Sequence, residues 1–497
     1  MFNKLKQIIL RILKLSRQLD SYEKDSVVQA MPSLAYVNRA KKCIEKKEYA
    51  KAEKILEEAM ELPQEDALVY KYLGIICEKT NRPTDAIVSY KKSANINSAD
   101  KEIWRLLGFV LMNTNRNEEA IEAFENANKI NPSNTDVFAG WGMALMKLKR
   151  NEEAHEKFLE SVRLNRYNFM ALLLAAVMEV RLEQYNEAEA KLNFLANVSP
   201  NETNTYEYAN LKYIKKDYDN AIHYAKKSID FNPNMLPSYL LLGKLYAIKG
   251  EKEECLKMYQ IAQDRKLETP HLFFDWGVTL QLFGEYEKSK LCFLKTLTCA
   301  PNEEEANSGL ALVNACLGNL EDAEQLISTV HSLDDNNYLY AKATGVIALK
   351  RGDYKIALEK FKKVSEQMFF DKSLTLYIAI AYDRISDIQN AKESYENAML
   401  QSGDNVEVYL NYADFLERNG EYESAQRKLR RALKYDENNV RLLNKLFNIS
   451  YILVKENYSE YNMKETLSIA DKIIAIDPES FNYPEERADL ENRLNNR

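Results

Sequence analysis

The chain has 497 residues, of which 46% are hydrophobic and 29% charged, and its formal net charge is −7. Such a composition supplies ample apolar material for a core, and the acidic balance gives no overall basic surface for nucleic acid. The six cysteines form no CxxC pair and no apolar run is long enough to cross a bilayer, so a disulfide framework, a zinc site and a membrane span are not predicted.

The first 20 residues form a basic amphipathic segment without an acidic residue before Asp20, and residues 21–32 are expected to be a linker. Helical spacing places an apolar face opposite lysines and arginines. Three interpretations stay open: packing as an N-terminal cap or into an apolar groove, contact with an anionic membrane or a partner, and a cleaved targeting segment. The residues that define the two faces are Phe2, Lys4, Leu5, Ile9, Arg11, Ile12 and Lys14.

Residues 33–439 repeat with a period of 34 residues, interrupted by a single interval of 33. A small residue returns at this period, and a second small series runs twelve residues later, as at Gly108 and Ala120. Four residues further on comes a mostly bulky position, such as Phe124. Three series in one register indicate a repeat protein in which each unit packs mainly on its neighbours.

Residues 101–134 show how one repeat is expected to fold. Trp104, Leu107 and Leu111 have the spacing of one helix face, and a second amphipathic stretch follows a polar run rich in asparagine. Polar residues of this kind favour turns, and Pro132 ends the second helix because it lacks an N–H. The repeat is therefore predicted to be helix–turn–helix, with the two small series on facing surfaces.

This arrangement resembles the tetratricopeptide repeat (TPR), with large–small–large on the first helix, Ala–aromatic–Ala on the second and a closing proline. The resemblance covers residues 33–439 as twelve repeats, with a divergent thirteenth at 440–480 and a polar C-terminal capping helix at 481–497. It implies an all-α fold, a right-handed α-solenoid (superhelix) of about 12–13 TPR helix-turn-helix units. In that family the first helices line the concave wall.

Positions 2, 5, 9 and 12 of each first helix are the wall positions that the resemblance implies. In the middle of the array they are mainly apolar, and they are rich in methionine in repeats three to five, which favours an apolar or amphipathic peptide ligand. Packing of the same side chains on neighbouring helices is the alternative. The candidate groove residues are Phe109, Met112, Met143, Met146, Met170, Leu173, Val177, Phe274, Val278, Val346 and Leu349.

Other kinds of site are not indicated. The lysine and asparagine pattern with which TPR proteins clamp a chaperone carboxylate is absent, since Lys71 is followed by Ile75 at the next wall position. The four histidines lie far apart, and no phosphate-binding loop, nucleophile elbow or HExxH motif occurs. We therefore expect no catalytic activity, cofactor or metal.

The expected function is that of a non-enzymatic scaffold or adaptor that binds a protein or peptide segment in its groove. A cytoplasmic location is expected, with a peripheral position on the cytoplasmic face of a membrane if residues 1–19 bind lipid. The alternative is an accessory or substrate-recruiting subunit of an enzyme complex, for example a glycosyltransferase, with catalysis in another chain.

Overall fold

The chain divides into two compact bodies, an N-terminal body from Met1 to Pro233 and a C-terminal body from Asn234 to Arg497. The regular structure of the described residues is entirely helical, and they contain no β-strand. Residues 1–32, including the predicted amphipathic segment, lie outside this description. The computed structural model describes residues 33–365, 371–402, 405–456 and 459–495.

The described part of the N-terminal body is a row of six antiparallel helix pairs, repeats 1 to 6, which confirms the predicted helix-turn-helix unit. The odd-numbered helix of each pair is the first helix of its repeat. The bounds are α1 Ser33–Glu45, α2 Tyr49–Met60, α3 Ala67–Lys79, α4 Pro83–Ile96, α5 Ile103–Asn113, α6 Asn117–Ile130, α7 Thr135–Lys147, α8 Asn151–Leu164, α9 Phe169–Arg181, α10 Tyr185–Val198, α11 Glu202–Ile214 and α12 Tyr218–Phe231.

The C-terminal body continues the pattern with repeats 7 to 13, followed in its described residues by a short 3-10 turn, Pro478–Ser480, and a final helix. The bounds are α13 Leu236–Lys249, α14 Lys252–Asp264, α15 Pro270–Leu282, α16 Tyr286–Cys299, α17 Glu304–Leu317, α18 Leu320–Ser328, α19 Tyr338–Arg351, α20 Tyr354–Ser365, α21 Lys372–Arg384, α22 Ile388–Gln401, α23 Val406–Arg418, α24 Tyr422–Ala432, α25 Val440–Glu456, α26 Glu460–Ile476 and α27 Pro484–Asn495.

The turn inside each of repeats 1 to 12 contains one residue with left-handed backbone geometry, from Lys47 in repeat 1 to Gly420 in repeat 12. In repeat 3 this residue is Asn115, with a φ of 60°. The next residue, Arg116, donates its backbone N–H to the carbonyl of Leu111 at 2.9 Å. The bond satisfies a carbonyl that the helix end leaves open and turns the chain back on itself.

The two small-residue series face each other, as the sequence predicted. The thiol of Cys255 donates to the carbonyl of Gly243 at 3.0 Å. The hydroxyl of Ser289 donates to the carbonyl of Gly277 at 2.6 Å. Each bond joins the two small positions of one repeat, so side chains without bulk allow the paired helices to approach closely.

An aromatic ring of the second helix fills the space over each glycine of the first small series. A Cβ atom added to Gly108 would lie 2.6 Å from the ring of Phe124, so a larger residue there would overlap it. Glycine and ring are therefore a matched pair that fixes the repeat. The pairs are Gly74–Tyr90, Gly108–Phe124, Gly142–Phe158, Gly243–Tyr259, Gly277–Phe293 and Gly345–Phe361.

The C-terminal end of the array is closed by α27, which packs on repeat 13. Leu490 of α27 is fully buried and joins a core cluster that includes Phe447 of α25. The side chain of Asn444 donates to the carbonyl of Ser480 at 2.9 Å, and the hydroxyl of Tyr451 donates to Asp489 at 3.1 Å. The Leu490 and Asp489 contacts thus hold α27 on the last helix pair, and the Asn444 bond fixes the turn that leads into it.

Candidate functional site: the first-helix walls

The predicted groove residues of repeats 3 to 5 lie on α5, α7 and α9, and we call this surface the N-terminal wall. Phe109, Met143, Met146 and Val177 are half-buried and pack against one core cluster of these repeats. Met170 is 62% exposed. The result is a row of apolar side chains on three consecutive first helices that solvent still reaches.

Three other predicted groove residues are buried. Met112 is 7% exposed, Leu173 is 6% exposed and Val346 is fully buried. Met112 belongs to the core cluster of repeats 3 and 4, and the other two lie in the clusters around repeats 5 and 10. These three side chains hold neighbouring helices together, as in the packing alternative considered above.

Phe109 gives the N-terminal wall a fixed aromatic side chain. Its ring meets that of Phe124 edge to face, with the centroids 5.2 Å apart, and the guanidinium of Arg105 lies 5.9 Å from its centroid. A Cβ atom on Gly140 of α7 would come within 2.9 Å of the Phe109 ring. The absence of a side chain at Gly140 therefore lets Phe109 fit between α5 and α7.

The cation of the preceding repeat, Lys71, is already neutralised within the protein. Lys71 is 5% exposed, and its Nζ lies 3.0 Å from Asp100 and 2.6 Å from Glu102. Burial opposes its charge, but the hydrogen bonds to both carboxylates outweigh that effect, so the pKa of Lys71 is raised. Lys71 therefore lacks the freedom to hold a ligand carboxylate.

A half-buried carboxylate, Glu207 of α11, stands in the repeat that follows the N-terminal wall. Burial raises the pKa of Glu207, while the positive charge of Arg181, at the end of α9, opposes the increase. No described residue forms an ion pair or a hydrogen bond with the Glu207 side chain. A cation brought by a ligand would stabilise its charged form.

The corresponding surface of repeats 8 to 11, on α15, α17, α19 and α21, is filled by its own side chains, and we call it the C-terminal wall. The fully buried Nζ of Lys342 donates to Asp371 at 2.5 Å and to Ser373 at 2.9 Å, and the hydroxyl of Tyr338 donates to Asp371 at 2.6 Å. Burial alone would raise the pKa of Asp371, but Lys342 and these hydrogen bonds lower it by more.

Contacts between repeats that are two apart in the sequence cover the C-terminal wall. The hydroxyl of Tyr338 in repeat 10 lies 3.5 Å from Oε1 of Gln281 in repeat 8. The thiol of Cys316 in repeat 9 lies 3.7 Å from the hydroxyl of Tyr377 in repeat 11. Leu312, at a wall position of repeat 9, is fully buried. The first helices approach here closely enough to cover one another's wall positions.

The remaining predicted groove residues, Phe274, Val278 and Leu349, are half-buried and pack against the core cluster of repeats 9 to 11. The Lys342–Asp371 pair was not predicted. A sequence signal for it exists, because these residues occupy the same repeat positions as Lys71 and Asp100.

The described residues offer no site for the common kinds of metal chemistry. Within them, no group of three or more His, Cys, Asp or Glu side chains could hold a metal ion. The six cysteines are unpaired. In the part of the chain that the structure covers, every helix is too short or too polar to cross a bilayer.

Two family models match parts of the chain. The model of the cytochrome c-type biogenesis protein H TPR domain matches residues 94–206, and that of the tetratricopeptide repeat matches residues 386–446. Among solved structures, the crystal structure of the APC/C hetero-tetramer Cut9–Hcn1 is similar in fold. Its TM-score is 0.56 at 15% sequence identity, and the match covers 92% of this chain and 95% of that one.

Curated relatives share about a quarter of their aligned residues with this chain. BBSome complex member BBS4 of Bos taurus is 24% identical over 293 residues, which are 51% of this chain and 54% of the relative. Protein O-mannosyl-transferase TMTC1 of Homo sapiens is 24% identical over 206 residues, which are 39% of this chain and 22% of the relative. The chain thus spans about half the length of the first relative and less of the second. The repeat period, the helix pairs of both bodies and the two family models agree: the chain is a tetratricopeptide-repeat protein.

Proposed function

We propose that this chain is a non-enzymatic scaffold whose N-terminal wall binds an apolar or amphipathic peptide segment of another protein. The observation that carries the proposal is the row of partly accessible apolar side chains on α5, α7 and α9. Exposed apolar patches on proteins of this kind usually mark interaction sites. Met143 and Met146 supply flexible, polarizable contacts that can adapt to different ligand side chains.

The Glu207 carboxylate, in the repeat that follows the N-terminal wall, favours a ligand that also carries basic side chains. Lys71 is neutralised by its own carboxylates, whereas Glu207 makes no ion pair with a described residue. A lysine or arginine of the ligand would restore the stabilisation that the Glu207 carboxylate loses through burial. We therefore expect a helix with an apolar face and a basic face.

A synthetic helical peptide of leucine and lysine, carrying a fluorophore, tests this binding by anisotropy on the full chain. Replacing Met143, Met146 and Val177 together by Asp should abolish binding, because three charges would have to be desolvated at the wall. Circular dichroism checks that helicity is intact. Met146→Asp alone has a matched control in Leu349→Asp, at the same repeat position of the C-terminal wall, which should leave binding unchanged. Unaltered affinity of the triple variant would exclude the site.

We also infer that residues 1–19 hold the scaffold at the cytoplasmic face of a membrane. Their basic and apolar residues, with Phe2, Leu5 and Ile9 facing away from the basic side, have the pattern of an interfacial helix. Sedimentation with vesicles that contain anionic phospholipid, using chains with and without these residues, tests the inference. The shortened chain should stay in the supernatant, and equal partitioning of both chains would contradict the anchor.

A second candidate function is that of an accessory subunit that recruits substrate for an enzyme in another chain. The similarity to a protein O-mannosyl-transferase favours it. Affinity purification separates the two candidates, since a stoichiometric catalytic partner supports the accessory subunit and varied non-catalytic partners support the scaffold.

A further inference from the structure

A trough crosses the surface that the second helices form in repeats 7 to 9. One cleft of about 810 Å³ lies between α14 and α16, with Trp276 and Leu280 of α15 at its floor. A neighbouring cleft of about 420 Å³ lies between α16 and α18, with Asn314 of α17 among its lining residues. Leu294 of α16 lines both clefts, so the two adjoin along this helix within the C-terminal body, and we call them together the trough.

Two leucines on the trough break the polar pattern of the second helices. Leu291 is 62% exposed and Leu294 is 43% exposed. The same repeat positions are occupied by Glu122 and Glu125 in repeat 3. The repeat itself therefore does not require an apolar residue here, and adjacent exposed leucines in a depression indicate a surface that a partner covers.

The floor of the trough holds two buried polar atoms without a partner among the described residues: Nε1 of Trp276 and Oδ1 of Asn314. Asn314 is 3% exposed, and the indole of Trp276 is fixed by stacking on Tyr259 at 5.9 Å between centroids. One of these atoms can donate a hydrogen bond and the other can accept one. Buried polar atoms normally find partners, so the residues under both clefts keep a hydrogen-bonding capacity that the described residues leave unused.

The charge around the trough is mainly positive. Lys288 pairs with Glu285 at 3.2 Å, but the Lys288 side chain is 68% exposed and such pairs are weak. Lys290 forms no ion pair with a described residue. Complementarity therefore favours an acidic ligand. The charged residues that line the two clefts are Glu253, Lys257, Lys288, Lys290, Lys295 and Asp322.

We propose that this trough binds an acidic amphipathic helix of a partner protein. The apolar face of that helix packs on Leu291, Leu294 and Trp276, and its carboxylates lie towards the lysines. The site uses the second helices of the C-terminal body, so it is independent of the N-terminal wall and of the basic ligand proposed for that wall.

A labelled synthetic helix with leucine on one face and glutamate on the other tests the trough by anisotropy on the full chain. About 14 residues suffice, since such a helix is about 20 Å long. The wild-type chain should bind it more tightly than a scrambled peptide, and Leu291→Glu should leave binding of the leucine and lysine peptide unchanged. Leu291→Glu should weaken binding about tenfold or more, a difference of about 1.4 kcal/mol or more. The matched control is Val88→Glu, which changes a 67% exposed residue at the same repeat position of repeat 2 and should leave binding unchanged.

Four outcomes would overturn the proposal. These are equal affinity of wild-type chain and Leu291→Glu for the glutamate peptide, an equal loss in Val88→Glu, an equal loss of binding of the leucine and lysine peptide in Leu291→Glu, and no binding of the glutamate peptide by the wild-type chain. Sedimentation velocity adds a further test, because a wild-type dimer that Leu291→Glu dissociates would assign the trough to a second copy of this chain. Failure here would leave the N-terminal wall unaffected, since its probe has the opposite charge.

Discussion

The two first-helix walls are built in the same repeat register and yet differ in accessibility. At the ninth position of the first helix, Phe109, Met143 and Val177 of the N-terminal wall are half-buried. In the C-terminal wall Val278 and Ile380, on its two outer helices, are also half-buried, but Leu312 and Val346 between them are fully buried. Apolar side chains thus occupy the position in both walls. The difference comes from how closely the neighbouring first helices approach.

A few side chains thus decide whether a TPR wall stays accessible to solvent or is covered by its own neighbours. In the C-terminal wall, Lys342 and Asp371 form a buried pair, and Tyr338 and Tyr377 reach across a repeat. In the repeat that precedes the N-terminal wall the equivalent cation, Lys71, is paired with carboxylates nearer the surface. The repeat scaffold tolerates both arrangements, so each wall must be judged by its contacts.

The largest expected effect comes from breaking the buried pair of the C-terminal wall. Lys342→Met leaves the Asp371 carboxylate buried without its cation and should cost about 3–5 kcal/mol. Native-state hydrogen exchange in α19 and α21 measures this locally, which is needed because long arrays do not unfold in one step. The double variant Lys342→Met, Asp371→Leu should recover most of the loss. A double variant as unstable as the single one would show that the charge is not the cause.

Acid should weaken the same wall by a smaller amount, since a protonated carboxyl can still form hydrogen bonds. The pKa of Asp371 is lowered by folding, so the unfolded chain binds more protons at acidic pH than the folded chain does. The ionised Asp371 carboxylate therefore contributes its full stabilisation of the fold above about pH 4, the usual pKa of Asp. This stabilisation is lost as the pH falls through the lowered pKa of Asp371 in the folded chain. The free energy of opening of α21, from exchange corrected for intrinsic rates, should fall in that window in wild type. The Asp371→Asn variant should not show this fall in the free energy of opening. Identical pH profiles of wild type and variant would show that Asp371 does not cause it.

The stability cost of replacing a glycine by alanine should depend, in both walls, on the distance between the added Cβ atom and the aromatic ring that packs over the glycine. Gly108→Ala places a Cβ atom 2.6 Å from Phe124 and should cost about 1–3 kcal/mol. Gly277→Ala places it 3.1 Å from Phe293, and the gain of about 0.5–1 kcal/mol from alanine in a helix should offset much of the strain. Shifts in the opening free energies of α5 and α15, from native-state hydrogen exchange of the two variants, give the comparison. Equal shifts would show that the ring contact does not set the cost.

The smallest effect is expected at the surface counterpart of the buried pair. Lys71→Met removes the cation beside Asp100 and Glu102, but the Glu102 side chain is 55% exposed and water can solvate it. The cost should be about 1 kcal/mol, because water can solvate carboxylates that it still reaches once the buried cation is removed. Exchange in α3 and α5 measures it. A loss as large as that of Lys342→Met would remove the distinction drawn here between the two walls.

The period and the helix spacing were enough to predict the helix pairs, the facing small residues and the capping helix, because these depend on residues within one repeat. The accessibility of Met112, Leu173 and Val346 could not be predicted in this way. Their burial depends on the approach of adjacent first helices, which the side chains of neighbouring repeats determine together. The Lys342–Asp371 pair shows the same limit, since its burial comes from contacts that skip a repeat.

Hydrogen-exchange footprinting of the full chain with the leucine and lysine peptide tests the central claim most directly. The claim is that the N-terminal wall is the ligand surface and that the C-terminal wall is occupied by its own side chains. We expect the peptide to add protection from exchange in α5, α7 and α9 and to leave the exchange of α17, α19 and α21 unchanged. Protection confined to α17, α19 and α21 would contradict it.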